Sequence, residues 1–238
     1  MPTIRETIAP APITRRAGNY IFTSSFYPIN ENGTVVHSPS FSPYVGESLV
    51  GAQTRSVLEQ LRNALSAAGS AIEHVLRIEV HLVDASDFYE FKIAWKEFFP
   101  ELPPARKTIV VGDEHIIPGC RLNLHAVALA SDANVERELI NVVDLPNAME
   151  AEHVPHGVKA GIFLFPSVFP ATNFSDGLAV GKRRGFPNYG SDAERHTQKM
   201  IKTMKNNGIK ISSYFIYESD YGMDRSRESF NKIGRAHV

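Results

Sequence analysis

Two short runs constrain this chain more than any other part of it. In Pro103-Pro104-Ala105-Arg106-Lys107-Thr108-Ile109-Val110-Val111 the paired prolines end whatever precedes them and bias the chain toward extended backbone. Period-2 alternation then sets Arg106, Thr108 and Val110 on one face and Lys107, Ile109 and Val111 on the other. In Arg121-Leu122-Asn123-Leu124-His125-Ala126-Val127-Ala128, the residues Leu122, Leu124, Ala126 and Ala128 share an apolar face, and Arg121, Asn123 and His125 share the opposite one. If the two runs pair, a guanidinium and an imidazole face one small cavity, which makes Arg106 and His125 the candidate site. By residue type alone such an arginine is more often solvated or ion-paired, so the weight comes from the rest of the chain.

A chain of 238 residues is one large domain or two of about 120 residues each. With 43% hydrophobic and 21% charged residues it can bury an ordinary globular core, and a formal net charge of −1 gives no basis for binding nucleic acid or an anionic membrane. A single cysteine, Cys120, excludes an internal disulfide and suits a reducing compartment. The amino terminus has no apolar signal core, and no run approaches the roughly 18 apolar residues of a membrane span. The expectation is a soluble, cytoplasmic protein.

Taken in order, Ile4 to Arg16 is interrupted by prolines and is expected over the surface ahead of a first strand, Tyr20 to Ser25. Asn32-Gly33 before Thr34-Val35-Val36 is a hairpin signal. A loop rich in serine and proline leads to a helix starting near Gly51, with the stripe Val57, Leu58, Leu61, Ala64, Leu65 and Ala68 and with Gly69 as its terminator. In Val75 to Val83, Leu76, Ile78, Val80 and Leu82 alternate with Arg77, Glu79 and His81, a half-buried strand with one face toward something polar. Ser86 or Asp87 caps a second helix, with Glu90 at capping-box distance from Asp87, and Phe88, Phe91, Trp95 and Phe98-Phe99 form its core stripe. With the two opening runs the order is β-β-α-β-α-β-β, and a mostly antiparallel sheet with two helices on one face, an α+β architecture, is the simplest packing.

Beyond residue 130 the pattern starts again. Ser131 to Asp144 reads as a polar linker with a strand-like patch at Leu139 to Val143. Gly161 to Pro170 then echoes Asn19 to Pro28. After a turn-rich stretch, Met200, Ile201 and Met204 mark a helix ending at Asn206-Asn207-Gly208, Tyr214 to Glu218 a strand, and Asp224 to Ile233 a further helix. The division expected is a site-bearing domain at 1–130, a linker at 131–145, and a divergent, truncated copy at 146–238 that lacks counterparts of both opening runs.

The first copy carries Gly18-Asn19-Tyr20-Ile21-Phe22-Thr23-Ser24-Ser25, then Gln53 through Gly69, Val80-His81-Leu82-Val83-Asp84 with Asp87-Phe88, and Phe98-Phe99, Pro104-Ala105-Arg106 and Ala126-Val127-Ala128. With these segments in that order, it resembles the RidA (YjgF) family of imine and enamine deaminases. It implies a chorismate-mutase-like fold and a homotrimer with sites in clefts between subunits. It implies cofactor-free, metal-free hydrolysis of small reactive 2-imino or enamine acids to 2-keto acids and ammonia. Arg106 falls on the arginine that holds the substrate carboxylate, a role that suits a planar guanidinium and not an ammonium. The family's water-positioning glutamate stands at His125, its frequent cysteine at Thr108, its helix asparagine at Lys92, and the glycine after its first strand at Ser25. Arg106 and His125 are thus the expected catalytic pair, with Ser25, Thr108 and Lys92 beside the substrate. The alternative is a non-catalytic carboxylate-binding or regulatory protein, favoured by histidine in place of glutamate.

Three other groupings carry less. His153-x-x-His156 brackets Pro155 without a third ligand at defined spacing and reads as surface loop rather than a metal site. Lys182-Arg183-Arg184 reads as a solvated loop, and Cys120 as a packing thiol.

Overall fold

The computed structural model describes residues 13–37, 46–112, 114–141 and 148–168, together with Lys202, Lys205 and Asn206, which are helical. The main sheet has five strands: β1 (Thr14–Ala17), β2 (Tyr20–Thr23), β3 (Val75–Leu82), β4 (Ala105–Val110) and β5 (Leu122–Leu129). Their order is β1-β2-β5-β3-β4, and every pairing is antiparallel except β3 with β4. Two helices, α1 (Leu49–Ala67) and α2 (Phe88–Phe98), pack on one face. The chain is thus α+β with the expected element order from α1 onward. No helix among the described residues is long and apolar enough to cross a membrane.

α1 forms where the helical spacing places it. Val57, Leu58, Leu61 and Leu65 are fully buried against Ile78, Val80 and Leu82 of β3 and Leu122, Leu124, Ala126 and Ala128 of β5. Burial of each large side chain contributes about 1.5–3 kcal/mol. Ser48 caps the helix by accepting from the Gly51 amide, and Gly69 ends it at φ +73°, a backbone angle that a side chain would strain. Gln53 sits inside this core with no exposed surface. Its Nε2 donates to the carbonyls of Val36 (2.9 Å) and Gly119 (2.8 Å), and its Oε1 accepts from the Arg121 amide at 2.7 Å. One side chain therefore ties the loops before α1 and before β5 to the helix.

Several expectations are corrected. The stretch before Tyr20 is not only surface chain: Thr14–Ala17 is an edge strand, turned back by Gly18 at φ +59°. The Asn32-Gly33 turn closes a single bridge, Ile29 to Val35, rather than a strand pair. Asp87 does not cap α2. Asp84 instead caps a short 3₁₀ turn at Ala85–Asp87 by accepting from the Ser86 amide. The Asp87 carboxylate pairs with Arg121 at 2.7 Å, while Glu90 accepts from the Ser48 hydroxyl.

Past residue 130 the described chain forms a second sheet, β6 (Arg137–Ile140), β7 (Gly157–Ala160) and β8 (Phe163–Pro166), with a short helix α3 (Ala148–Glu152) before β7. β6 lies inside the stretch expected to be linker. The β7–β8 hairpin turns at Gly161, φ +57°, so Gly161 stands where Gly18 stands in the β1–β2 hairpin, one residue from the register read in the sequence. This sheet packs on the face of the main sheet away from α1 and α2. Val158, Ala160 and Phe165 meet Leu76, Ala105 and Leu129 there, and the Tyr20 hydroxyl donates to the Ala160 carbonyl at 2.9 Å. The helix at Met200 to Gly208, apart from those three residues, and the elements expected at Tyr214–Glu218 and Asp224–Ile233 lie outside the described residues, as do Lys182-Arg183-Arg184.

Because the buried Gln53 side chain satisfies two carbonyls and one backbone amide, Gln53→Leu, which keeps the volume, is expected to lower stability by about 2–4 kcal/mol. Urea unfolding with an unchanged m-value is the measurement, and a loss under about 0.5 kcal/mol would mean water replaces the amide.

Candidate functional site

The sheet order decides which side chains meet. β4 and β5 do not pair with each other; β3 lies between them and pairs with both. Ile78 is opposite Arg106 on one side and Ala126 on the other, while Glu79 is opposite Lys107 and His125. Residues opposite each other point to the same face. Arg106 therefore faces the helices and His125 faces away from them. The single cavity expected from direct pairing is not formed within one chain, and Lys107 rather than Arg106 shares the His125 face.

On the helix face, Arg106 is only 4% exposed. Its Cζ lies over three rings of α2, 5.0 Å from the Phe88 centroid, 5.5 Å from Phe91 and 5.0 Å from Trp95. Desolvated cation–π contacts of this kind contribute on the order of 2 kcal/mol. Nη2 donates to Glu152 Oε2 at 3.2 Å. Burial lowers the guanidinium pKa to about 10 against the opposing pull of Glu152, so the group stays cationic at neutral pH. Among the described residues, Arg106 Nη1 and Thr108 Oγ1 are buried polar atoms with no hydrogen-bond partner. They stand two residues apart on the same face of β4. Such atoms are costly unless something polar meets them, so this pair is the part of the sheet most in need of a polar partner. Lys92 is close by, its Nζ 5.9 Å from the Phe88 ring that Arg106 also covers.

The open face carries a different set. Glu79 takes Lys107 Nζ at 3.1 Å and Arg77 Nη2 at 3.0 Å. His81 bridges two neighbours, with Nδ1 3.0 Å from Asn123 Oδ1 and Nε2 3.2 Å from Glu79 Oε1. The His125 ring meets His81 edge-on with centroids 6.0 Å apart. Burial drives the Glu79 pKa up, but Lys107 and His81 outweigh it and leave it lowered. Burial lowers the pKa of His125, aided by His81, Arg77 and Lys107 and opposed by Glu79, so His125 is neutral at pH 7.

Of the residues expected at the site, Arg106 and Thr108 share one face of β4, and Lys92 and Arg106 both lie over the Phe88 ring. His125 lies on the other face. Ser25 is exposed just past β2, three strand spacings from β4, or roughly 14 Å. Glu152 was not anticipated, because it is 46 residues from Arg106 and carries no local signal. The spacing of the α2 aromatics predicts a core stripe and does not show that a cation lies over them. The His153-x-x-His156 pair is not surface loop: His156 is 5% exposed, and His153 Nε2 donates to the Phe99 carbonyl. Cys120 is buried, which pushes its thiol up to about 11.

Comparison with known proteins gives a consistent picture for the first half of the chain. A family model described as Endoribonuclease L-PSP matches residues 14–130. The 3-aminoacrylate deaminase RutC of Acinetobacter baylyi is 35% identical over 105 residues, covering 44% of this chain and 76% of that protein. A RutC family protein of Pyrococcus horikoshii is 33% identical over 109 residues, covering 44% of this chain and 77% of its own. The crystal structure of the YjgF gene product of E. coli aligns over 51% of this chain and 89% of that one, at 25% identity and a TM-score of 0.42.

Burial also lowers the pKa of His115, whose Nε2 donates to the His81 carbonyl at 3.1 Å. With folded values below the unfolded reference of about 6.5, His125 and His115 leave the unfolded chain to take up protons first as pH falls. Their stabilising contribution is complete above about pH 6.5 and is lost as pH falls through the folded values. The melting temperature is expected to drop between pH 7.5 and 5, with a shallower slope in His125→Gln. An identical slope in that variant would mean His125 titrates alike in both states. Glu79 acts in a separate window, losing its contribution only below about pH 4.3.

Proposed function

This chain belongs to the YjgF/RidA family, and from that premise we propose that it hydrolyses small reactive 2-imino or enamine acids to 2-keto acids and ammonia. The observation that carries the reading is the buried Arg106 guanidinium, charged at neutral pH, with Nη1 and the neighbouring Thr108 Oγ1 lacking protein partners among the described residues. A planar fork with a free arm beside a hydroxyl is a receptor for a carboxylate. The relative named 3-aminoacrylate deaminase acts on a molecule with that carboxylate and an enamine.

Water adds to the imine carbon, giving a carbinolamine. Collapse of that intermediate forms the carbonyl and expels ammonia, so one water is consumed for each ammonia released. Arg106 fixes the substrate through its carboxylate, and Lys92 adds positive charge on the same side of α2. No metal or organic cofactor is needed, since a protonated imine is already electrophilic. Positioning and one proton-transfer partner, contributing about 10²–10⁴-fold, supply the catalysis. His125, neutral through burial, is the base assigned to orient the water. Since it lies on the opposite face from Arg106 in one chain, a site using both is shared between two copies in a homotrimer, acting in the cytoplasm. The second reading is a non-catalytic carboxylate-binding protein, and that separation of Arg106 from His125 is what favours it.

Release of keto acid from freshly generated 2-iminopropanoate, corrected for spontaneous hydrolysis, tests the proposal. Arg106→Lys keeps the charge but loses the fork, so kcat/KM is expected to fall about 10–100-fold, nearly as far as in Arg106→Ala, matching the roughly 1.5–3 kcal/mol of a charged hydrogen bond. Full activity in the Lys variant would show that a point charge is enough. No turnover in a wild-type chain that still binds pyruvate would establish the second reading.

A further inference from the structure

The segment 148–168 lies beyond the matched family domain, yet it closes over Arg106. It is fastened to the site-bearing elements at several points. The Arg106 amide donates to Ser167 Oγ at 3.0 Å, and the Val168 amide donates to the Arg106 carbonyl at 3.0 Å, covering the free edge of β4. The Trp95 indole donates to the His153 carbonyl at 3.0 Å, and Val154, 1% exposed, joins the core beneath α1 and α2. These contacts set Glu152 against the guanidinium.

The chemistry of that contact is the point. A glutamate side chain ends in the group that a carboxylate substrate would present. Glu152 Oε2 takes one arm of the fork, Nη2, and leaves Nη1 without a partner among the described residues. The Glu152 side chain is 19% exposed against 4% for Arg106, so the carboxylate is the partner with access to solvent. A ligand that engages both arms gains a second charge-assisted bond that Glu152 does not make.

We propose that Glu152 is an internal competitor of the site, holding Arg106 as a substrate carboxylate would and swinging into solvent when one binds. This rests on the reading of Arg106 as a carboxylate receptor. The rival account makes Glu152 only the countercharge that a buried arginine requires, in which case its removal destabilises the guanidinium and weakens the site. The two accounts predict opposite signs.

The test is calorimetric titration of the full-length chain with pyruvate, for wild type, Glu152→Gln and Glu152→Asp, at fixed pH and salt. Glu152→Gln removes the competing charge. Glu152→Asp keeps the charge on a side chain one methylene shorter, and it carries the test if the Gln variant fails to fold. Both variants are expected to bind pyruvate at least tenfold more tightly than wild type, and Arg106→Lys added to either is expected to remove the gain. Measurable binding in wild type that is equal or weaker in both variants overturns the competitor and leaves the carboxylate reading standing. Absence of binding in wild type and in both variants overturns the carboxylate reading and the competitor with it.

Discussion

Glu79 is held between the two ladders of β3, opposite Lys107 across one edge and His125 across the other. Its neighbour Ile78 is likewise opposite Arg106 and Ala126. Those two rungs divide the chemistry of the sheet. A one-residue slip of β4 would put Arg106 among the charges of the open face and Lys107 beneath the aromatics of α2. Lysine would fare poorly there, since it lacks the planar fork and loses its charge more readily when desolvated. The register is held from both sides: Ala105 is small enough to sit under the second sheet, and Lys107 finds Glu79 at 3.1 Å.

Burying a guanidinium is costly, and the sequence meets that cost with groups from two places. α2 contributes three ring faces, and α3 contributes one carboxylate. β4 places the charge but adds no acceptor to it, since Thr108 Oγ1 has no partner either. The compensation is therefore incomplete, and that incompleteness distinguishes Arg106 from Arg121 or Arg137. Arg121 is paired by the Asp87 carboxylate, and Arg137 spends its donors on the carbonyls of Val75, Leu102 and Pro103. An arginine kept only for structure resembles those two.

How much of this was legible follows from the range of each interaction. α1 was readable to within two residues because its stripe and its terminal glycine are local signals. The polar face of β3 was readable from period 2 alone, and Arg77, Glu79 and His81 do share it. Strand adjacency was not. Direct pairing of β4 with β5 and insertion of β3 between them leave the same alternation in the sequence, and only the second separates Arg106 from His125. The cap of α2 failed for a related reason: Asp87 satisfies a local rule, but Arg121, far along the chain, binds it more strongly. Glu152 had no local signature.

The two hairpins show how similar local structure is put to different use. Each is a pair of four-residue strands turned at a left-handed glycine, Gly18 or Gly161. β1–β2 extends the main sheet through β5, whereas β7–β8 pairs with β6 and lies flat on the main sheet. The difference follows from which edge remained open and which face was apolar. Leu76, Ala105 and Leu129 form an apolar patch at one end of the open face, and β7–β8 covers it. The Glu79–His81–His125 end is polar and receives no strand from this chain among the described residues. Any neighbouring copy that brings its own Arg106 to His125 must therefore approach over that polar end, past a hairpin that already occupies the rest of the face.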